Sequence, residues 1–305
     1  KGAGVVIGQS DSGVQGDHPE LADSYLGRDG HDAYRWYDPW NGSPKPFDFG
    51  GHGTHTMGIA AGNRVGVAPD ADWIGCVNLA RNLGNPAYYL DCWQFMLAPF
   101  PQEGDPLRDG DPAQAADILN NSWGCPEVEG CDPLIYQSAV AALRDAGIFV
   151  VVSAGNSGTN GCGSVDAPAA IYDDVYTVGS VDAQGNLSEF SSLGPVLVDG
   201  SLLTKPDISA PGSGVLSSYP GSTYEIASGT SMAGPHAAGV VALMWSANPK
   251  LIGNIALTEE ILNRTAQPYQ GAYPTCVDGS KVPNNGSGYG ILNAYEAVRQ
   301  ALLAQ

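Results

Sequence analysis

Five short, unbroken apolar runs constrain what this chain can fold into: Gly4-Val5-Val6-Ile7-Gly8, Trp73-Ile74-Gly75-Cys76-Val77, Ile118-Leu119-Asn120, Ile148-Phe149-Val150-Val151-Val152 and Val175-Tyr176-Thr177-Val178. Each has strand length and lacks the apolar-polar alternation of a sheet with one wet face, so each predicts a strand covered on both faces. Helix-like stretches lie between them: His55 to Ala61, Tyr88 to Leu97, Pro133 to Ala146 and the long, Ala- and Gly-rich Ser231 to Ala247. Strand and helix in alternation predict an α/β fold, a three-layer α/β/α sandwich on a mostly parallel sheet. Two further helices are expected, one after Thr258-Glu259-Glu260 with Thr258 as its cap and one over Asn293 to Leu303.

The chain has 305 residues, 43% of them hydrophobic, and no stretch reads as a domain linker, so residues 1–305 are expected to form a single domain around a substantial core. Its 32 acidic against 13 basic residues give a net charge of −19. That sign argues against nucleic-acid phosphates or an anionic membrane surface as partners. No apolar run reaches transmembrane length, and Lys1 leads almost directly into an apolar strand rather than a signal segment, as in a processed, secreted chain. Six cysteines without a CxxC pair fit disulfides and an oxidising compartment better than a zinc site. Loop lengths alone favour Cys76 with Cys92, Cys125 with Cys131 and Cys162 with Cys276, one of the fifteen connectivities six cysteines allow. The Pro-rich stretch from Pro99 to Pro112 reads as a solvated insertion, with a substrate rim as its alternative.

Chemistry concentrates in four segments. Gly229-Thr230-Ser231-Met232-Ala233-Gly234-Pro235 puts a serine between small residues at a helix start, where unpaired N–H groups suit a developing oxyanion. A serine hydroxyl needs a base to become a nucleophile. His52, in Gly51-His52-Gly53-Thr54-His55, opens a helix and can take the hydroxyl proton, and the HExxH spacing of a zinc site is absent. Asp11 closes the first apolar strand and can hold that imidazole in one tautomer. Asn156, just past the run ending in Val152-Ser153-Ala154-Gly155, offers an amide to the oxyanion. His55 reads as structural, His236 as a helix residue on the core side, and His18 and His31 as loop residues.

Together these segments resemble the subtilisin-like serine proteases, in their order as well as their residues. The likeness runs from about Gly4 to about Val298, with Asn120-Asn121-Ser122-Trp123-Gly124, Ser209-Ala210-Pro211-Gly212 and Gly288-Tyr289-Gly290 pointing to the bacillopeptidase F type. The resemblance implies a subtilisin-like fold, Asp11, His52 and Ser231 as the triad, and Asn156 with the Ser231 backbone N–H in the oxyanion hole, with Thr230 behind. It implies Ser122, Trp123 and Gly124 as one edge of a cleft that binds protein and peptide substrates as an added strand, and Ala154 and Gly155 as a wall of the specificity pocket. It further implies a pro-segment, absent from this mature chain, as folding aid and inhibitor of a monomeric enzyme. Catalysis would need no cofactor. Many relatives carry a calcium-binding insertion after the helix of the catalytic histidine; here Ala61 to Pro69 is short and almost uncharged, so that calcium site is expected to be absent, with structural calcium elsewhere possible. Asp166 falls where relatives line the floor of the specificity pocket and would favour Arg or Lys before the scissile bond, with a solvent-facing carboxylate as its alternative. An α/β-hydrolase esterase would instead carry Gly-x-Ser-x-Gly ahead of its acid and histidine, and a non-catalytic relative would have lost a triad residue.

Overall fold

The computed structural model describes residues 1–80 and 83–304. Seven strands form one sheet, every pairing in it parallel, in the order β2-β3-β1-β6-β7-β8-β9. They are β1 (Val6–Asp11), β2 (Trp36–Tyr37), β3 (Asp72–Val77), β6 (Ile118–Asn121), β7 (Phe149–Ser153), β8 (Tyr176–Val181) and β9 (Ile208–Pro211). Outside the sheet lie a short pair, β4 (Leu79–Ala80) with β5 (Leu83–Gly84), and an antiparallel hairpin, β10 (Val215–Tyr219) with β11 (Thr223–Ala227). The helices are α1 (His52–Ala61), α2 (Pro86–Leu97), α3 (Gln137–Asp145), α4 (Thr230–Ala247), α5 (Ile255–Thr265) and α6 (Ala294–Ala301).

The unbroken apolar runs are explained by two cores. Ile118, Phe149 and Val151 point into one, with Met57 of α1, Val241 and Trp245 of α4 and Ile261 of α5. Leu119, Val150 and Val152 point into the other, with Trp93 and Phe95 of α2 and Val140 of α3. Helices therefore cover both faces, giving three layers as expected. Each such buried side chain is worth about 1.5–3 kcal/mol against exposure to water. Even so, apolarity on both faces leaves β6 and β7 little power to set their own register.

Several boundaries differ from the sequence reading. α2 starts at Pro86 because Asn85 accepts from the Tyr88 N–H and proline suits the first helical position. α3 is shorter than Pro133 to Ala146, since the Asp132 carboxylate accepts from the Leu134 N–H and holds that segment as turns. Thr258 is no cap: α5 begins one turn earlier with Asn254 capping, and the buried Thr258 hydroxyl donates to the Asn254 carbonyl and accepts from the Trp245 indole. α6 runs only to Ala301, with Asn293 as its cap. β8 extends three residues past Val178. The disulfides join Cys76 to Cys92, Cys125 to Cys131 and Cys162 to Cys276, with Cα–Cα distances of 5.5, 5.8 and 6.0 Å. They tie β3 to α2, close the segment following β6, and fasten the loop after β7 to the C-terminal region.

Candidate active site

Strand order reverses at β1, since β3 and β2 lie to one side of it and β6 to β9 to the other. In an open parallel sheet that switch, at the carboxyl ends of the strands, is where a ligand crevice forms. Asp11 ends β1, Ser122 follows β6 and Asn156 lies three residues past β7. α1 and α4 both begin at this edge, delivering His52 and Ser231.

Asp11 is fully buried and accepts from His52 Nδ1 at 2.8 Å on Oδ1 and 3.0 Å on Oδ2. The Ser12 N–H donates to Oδ1 at 2.7 Å and Gln9 Nε2 to Oδ2 at 3.1 Å. With Nδ1–H directed at the carboxylate, Nε2 is left as an acceptor. The N-terminus of α1 has no side-chain cap at Gly51. Asp48 serves instead: Oδ1 accepts from the Gly50 and Gly51 N–H groups and from Ser12 Oγ, Oδ2 from the Thr54 N–H and hydroxyl. Gly51 has φ of 85°, and a Cβ there would lie 2.4 Å from the Tyr219 ring, so glycine is needed just before the histidine.

Burial, the largest influence on His52, pushes its pKa down, but the charge of Asp11, its hydrogen bond and the charge of Asp48 outweigh it, and the net direction is upward. A reaction needing neutral imidazole should therefore lose rate on acidification with a midpoint above the ordinary value of about 6.5. A pH profile of kcat/KM checks this. A flat profile from pH 5 to 9 would remove His52 from the chemistry.

Ser231 is the second residue of α4, half-buried, among the helix's unpaired N–H groups. Pro235 lacks the N–H that would bond the Ser231 carbonyl, and Ser122 Oγ donates to that carbonyl instead at 2.9 Å. The Ser231 hydroxyl donates to the Ser122 carbonyl at 2.9 Å. Rotation about its Cα–Cβ bond would turn it toward His52, since catalytic hydrogen bonds often tighten only with substrate bound. Asn156 is exposed, and its Oδ1 is occupied by the Thr230 N–H at 2.9 Å and the Thr230 hydroxyl at 3.1 Å. This leaves the Asn156 amide N–H groups to a ligand. Thr230 Oγ1 also accepts from the Gly155 N–H.

A cleft of about 370 Å³ is lined by His52, Ser122, Trp123, Gly124, Asn156 and Ser231 among others. Trp123 stacks on Tyr89 at 3.9 Å and donates from its indole to the Ser10 carbonyl, which holds the cleft edge on β1. Asp11 lies behind His52, out of the cleft. Ala154 is buried and Gly155 half-buried beside it. Asp166 opens into a neighbouring hollow of about 290 Å³ that it shares with Glu127, Asp132 and Val198. The two spaces adjoin where Gly124 meets Ala167 and the Cys125 N–H donates to the Pro168 carbonyl. Asp166 is exposed at the rim of this hollow, and the desolvation it does meet there shifts its carboxyl pKa upward.

The other histidines do separate work. His55 Nε2 meets the Glu225 carbonyl, and His236 Nδ1 the Met232 carbonyl from a half-buried position. His31 pairs with Asp29 at the surface. His18 differs from its reading as a loop residue without a role: it is fully buried, with Nδ1 accepting from the Glu20 N–H and Nε2 on the Thr223 carbonyl. Among the described residues no three His, Cys, Asp or Glu side chains converge as a metal's ligands would. Sequence reasoning passed over Asp48, Gln9 and Asn120. Asp48 could have been found by seeking a carboxylate to cap a helix that opens on Gly-His-Gly.

The Subtilase family (Peptidase S8) profile matches residues 2–290. Bacillopeptidase F of Bacillus subtilis (strain 168) is 39% identical over 313 residues, covering 97% of this chain and 21% of that protein. The halolysin-like extracellular serine protease Nep of Natrialba magadii is 37% identical, covering 81% of this chain and 41% of that protein. The chain thus spans about a fifth of the first relative's length and two fifths of the second's. A crystal structure of a cold adapted subtilisin-like serine proteinase superposes with a TM-score of 0.71 at 24% identity, covering 96% of this chain and 89% of that one. By its sequence, the chain belongs to the subtilase family.

Proposed function

We propose that the chain is the peptidase unit of a secreted serine endopeptidase, cleaving peptide bonds in proteins through an acyl-enzyme. The observation that carries the reading is the convergence of His52 backed by the buried Asp11, Ser231 at the start of α4, and an Asn156 amide freed by Thr230. His52 Nε2 takes the Ser231 hydroxyl proton as Oγ bonds to the substrate carbonyl carbon. The resulting oxyanion sits between Asn156 Nδ2 and the Ser231 backbone N–H. His52 then gives the proton to the leaving amine as the C–N bond breaks. Water repeats the sequence on the acyl group, ending with a free carboxyl product and Ser231 restored. Every group used belongs to the chain, so no cofactor enters.

Substrate would add as a strand along Ser122-Trp123-Gly124, where main-chain bonds give affinity with little sequence choice. Extracellular location is supported by three disulfides and by the likeness to Nep, an extracellular serine protease. A pro-segment and a monomeric state belong to the same reading. The experiment is treatment with phenylmethylsulfonyl fluoride and peptide mapping: the sulfonyl group should sit on Ser231 with activity lost in proportion. An adduct elsewhere, or none while a peptide substrate binds, overturns the assignment.

Asp166 carries the finer proposal, a preference for Arg or Lys before the scissile bond. Glu127 and Asp132 in the same hollow support it by adding negative charge. In a series of peptide anilides ending in Arg, Lys, Phe and Leu, the basic ones should have the higher kcat/KM, and Asp166→Asn should narrow the gap. Equal rates across the series would end the proposal.

A further inference from the structure

A buried chain of hydrogen bonds crosses the sheet beneath the cleft and joins Asp11 to Ser231 by a route separate from His52. It begins at Gln9, two residues before Asp11 on β1 and 1% exposed. Gln9 Nε2 donates to Asp11 Oδ2 at 3.1 Å and to the Thr56 hydroxyl of α1 at 2.6 Å. Its Oε1 accepts from Asn120 Nδ2 on the neighbouring strand β6 at 3.1 Å. Asn120 Nδ2 also donates to Ser122 Oγ at 3.0 Å, and Ser122 Oγ donates to the Ser231 carbonyl that Pro235 leaves free. The amide orientation of Gln9 is set by its partners. Reversed, it would oppose an oxygen to the Asp11 carboxylate and an NH₂ to the Asn120 NH₂. Gln9 and Asn120 lie on the sheet face that Ile7 and Ile118 also present to α1 and α4, buried where apolar residues would otherwise pack, and an uncompensated polar group there is costly.

We propose that Gln9 is a positioning residue for hydrolysis: its amide fixes the outer oxygen of Asp11 and, through Asn120 and Ser122, sets that carboxylate in register with the backbone of Ser231. This rests on the acyl-enzyme reading of the same site. Gln9 touches no substrate atom and acts through Asp11 on the orientation of His52.

The test replaces Gln9 with methionine, which keeps length and flexibility and removes the amide. Active sites are counted by phenylmethylsulfonyl fluoride titration, so that only folded, reactive enzyme enters kcat. Loss of one hydrogen bond to a charged partner should lower kcat about tenfold with KM nearly unchanged, the signature of an interaction used in the transition state. The acidic limb should also move. The groups around His52 are Asp11 from β1, Asp48 from the loop before α1, and His55 one turn further on; Glu225 of β11 faces His55, and His236 of α4 turns to the Met232 carbonyl. Without the Gln9 N–H directed at Oδ2, and with only the Ser12 N–H and the Thr56 hydroxyl left to it besides His52, the Asp11 carboxylate would favour imidazolium more, shifting the limb to higher pH. Asn120→Ala should give a smaller loss of the same kind. The double variant should fall short of the product of the two, because both act through one chain. If Gln9→Met does not fold, Asn120→Ala decides: reduced kcat at unchanged KM supports the proposal, and unreduced kcat overturns it.

Wild-type kcat and limb per titrated site in Gln9→Met, a loss confined to KM, or strict multiplicativity in the double variant overturns the proposal. Those outcomes leave the acyl-enzyme reading intact if the parent enzyme is sulfonylated on Ser231. A parent that takes no label sinks both.

Discussion

Ser231→Ala is expected to lower kcat by about a millionfold, the scale known for loss of the nucleophile in subtilisin, a member of the same family. Its KM should stay within a fewfold of the parent, because the cleft edge at Ser122, Trp123 and Gly124 and the Asn156 amide do not depend on the hydroxyl. For the same reason the variant should retain about 10³–10⁴-fold over the uncatalysed rate. Stability should change little, since the hydroxyl's bond is to the Ser122 carbonyl and such a bond contributes about 0.5–1.5 kcal/mol. Adding His52→Ala should cost almost nothing more. The imidazole's task is to carry the serine proton, and without the hydroxyl that task is gone. Single-turnover assays on a peptide anilide check both variants. Residual activity above about one percent of the parent, beyond any contaminating protease and far above what the oxyanion hole alone provides, would place the nucleophile elsewhere.

Much of this site is legible in the sequence because its elements are local. Gly51-His52-Gly53 and Gly229-Thr230-Ser231 announce helix starts, and the apolar runs fix where strands end, so Asp11 and Asn156 can be placed at a carboxyl edge before any coordinates. What escaped is non-local. Gln9 and Asn120 are separated by 111 residues along the chain and become neighbours only because β1 pairs with β6, with Gln9 opposite Asn120. Read singly, each is an oddity in an apolar run. The pairing of two strands apolar on both faces cannot be derived from their own pattern. His18 escaped similarly, since its burial depends on the β10–β11 hairpin some 205 residues later. Thr258 misled for the opposite reason: its composition suits a cap, but a buried indole on α4 needed an acceptor at that position, and Asn254 took the end of the helix.

Asp11→Asn should cost about 10⁴-fold in kcat, the scale known when a serine protease keeps its geometry but holds its histidine in the wrong tautomer. The surroundings of Asp11 show why the amide cannot be accommodated. Both carboxylate oxygens accept, Oδ1 from the Ser12 N–H and Oδ2 from Gln9 Nε2, while each also faces His52 Nδ1. An NH₂ in place of either oxygen sets a donor against a donor. The Ser12 backbone cannot turn, and Gln9 is held by Asn120 and Thr56. The escape is for His52 to move its proton to Nε2 and accept at Nδ1, after which Nε2 can no longer receive the Ser231 proton. Removing the Asp11 charge also leaves burial opposed mainly by Asp48, so the imidazole pKa should drop and the acidic limb should retreat to lower pH. Lost kcat with a limb moved downward is therefore the joint signature. It is opposite in direction to the upward shift expected of Gln9→Met, because one variant removes the negative charge and the other removes a group that offsets it. A variant within tenfold of the parent at neutral pH would mean that Asp11 orients nothing the reaction uses.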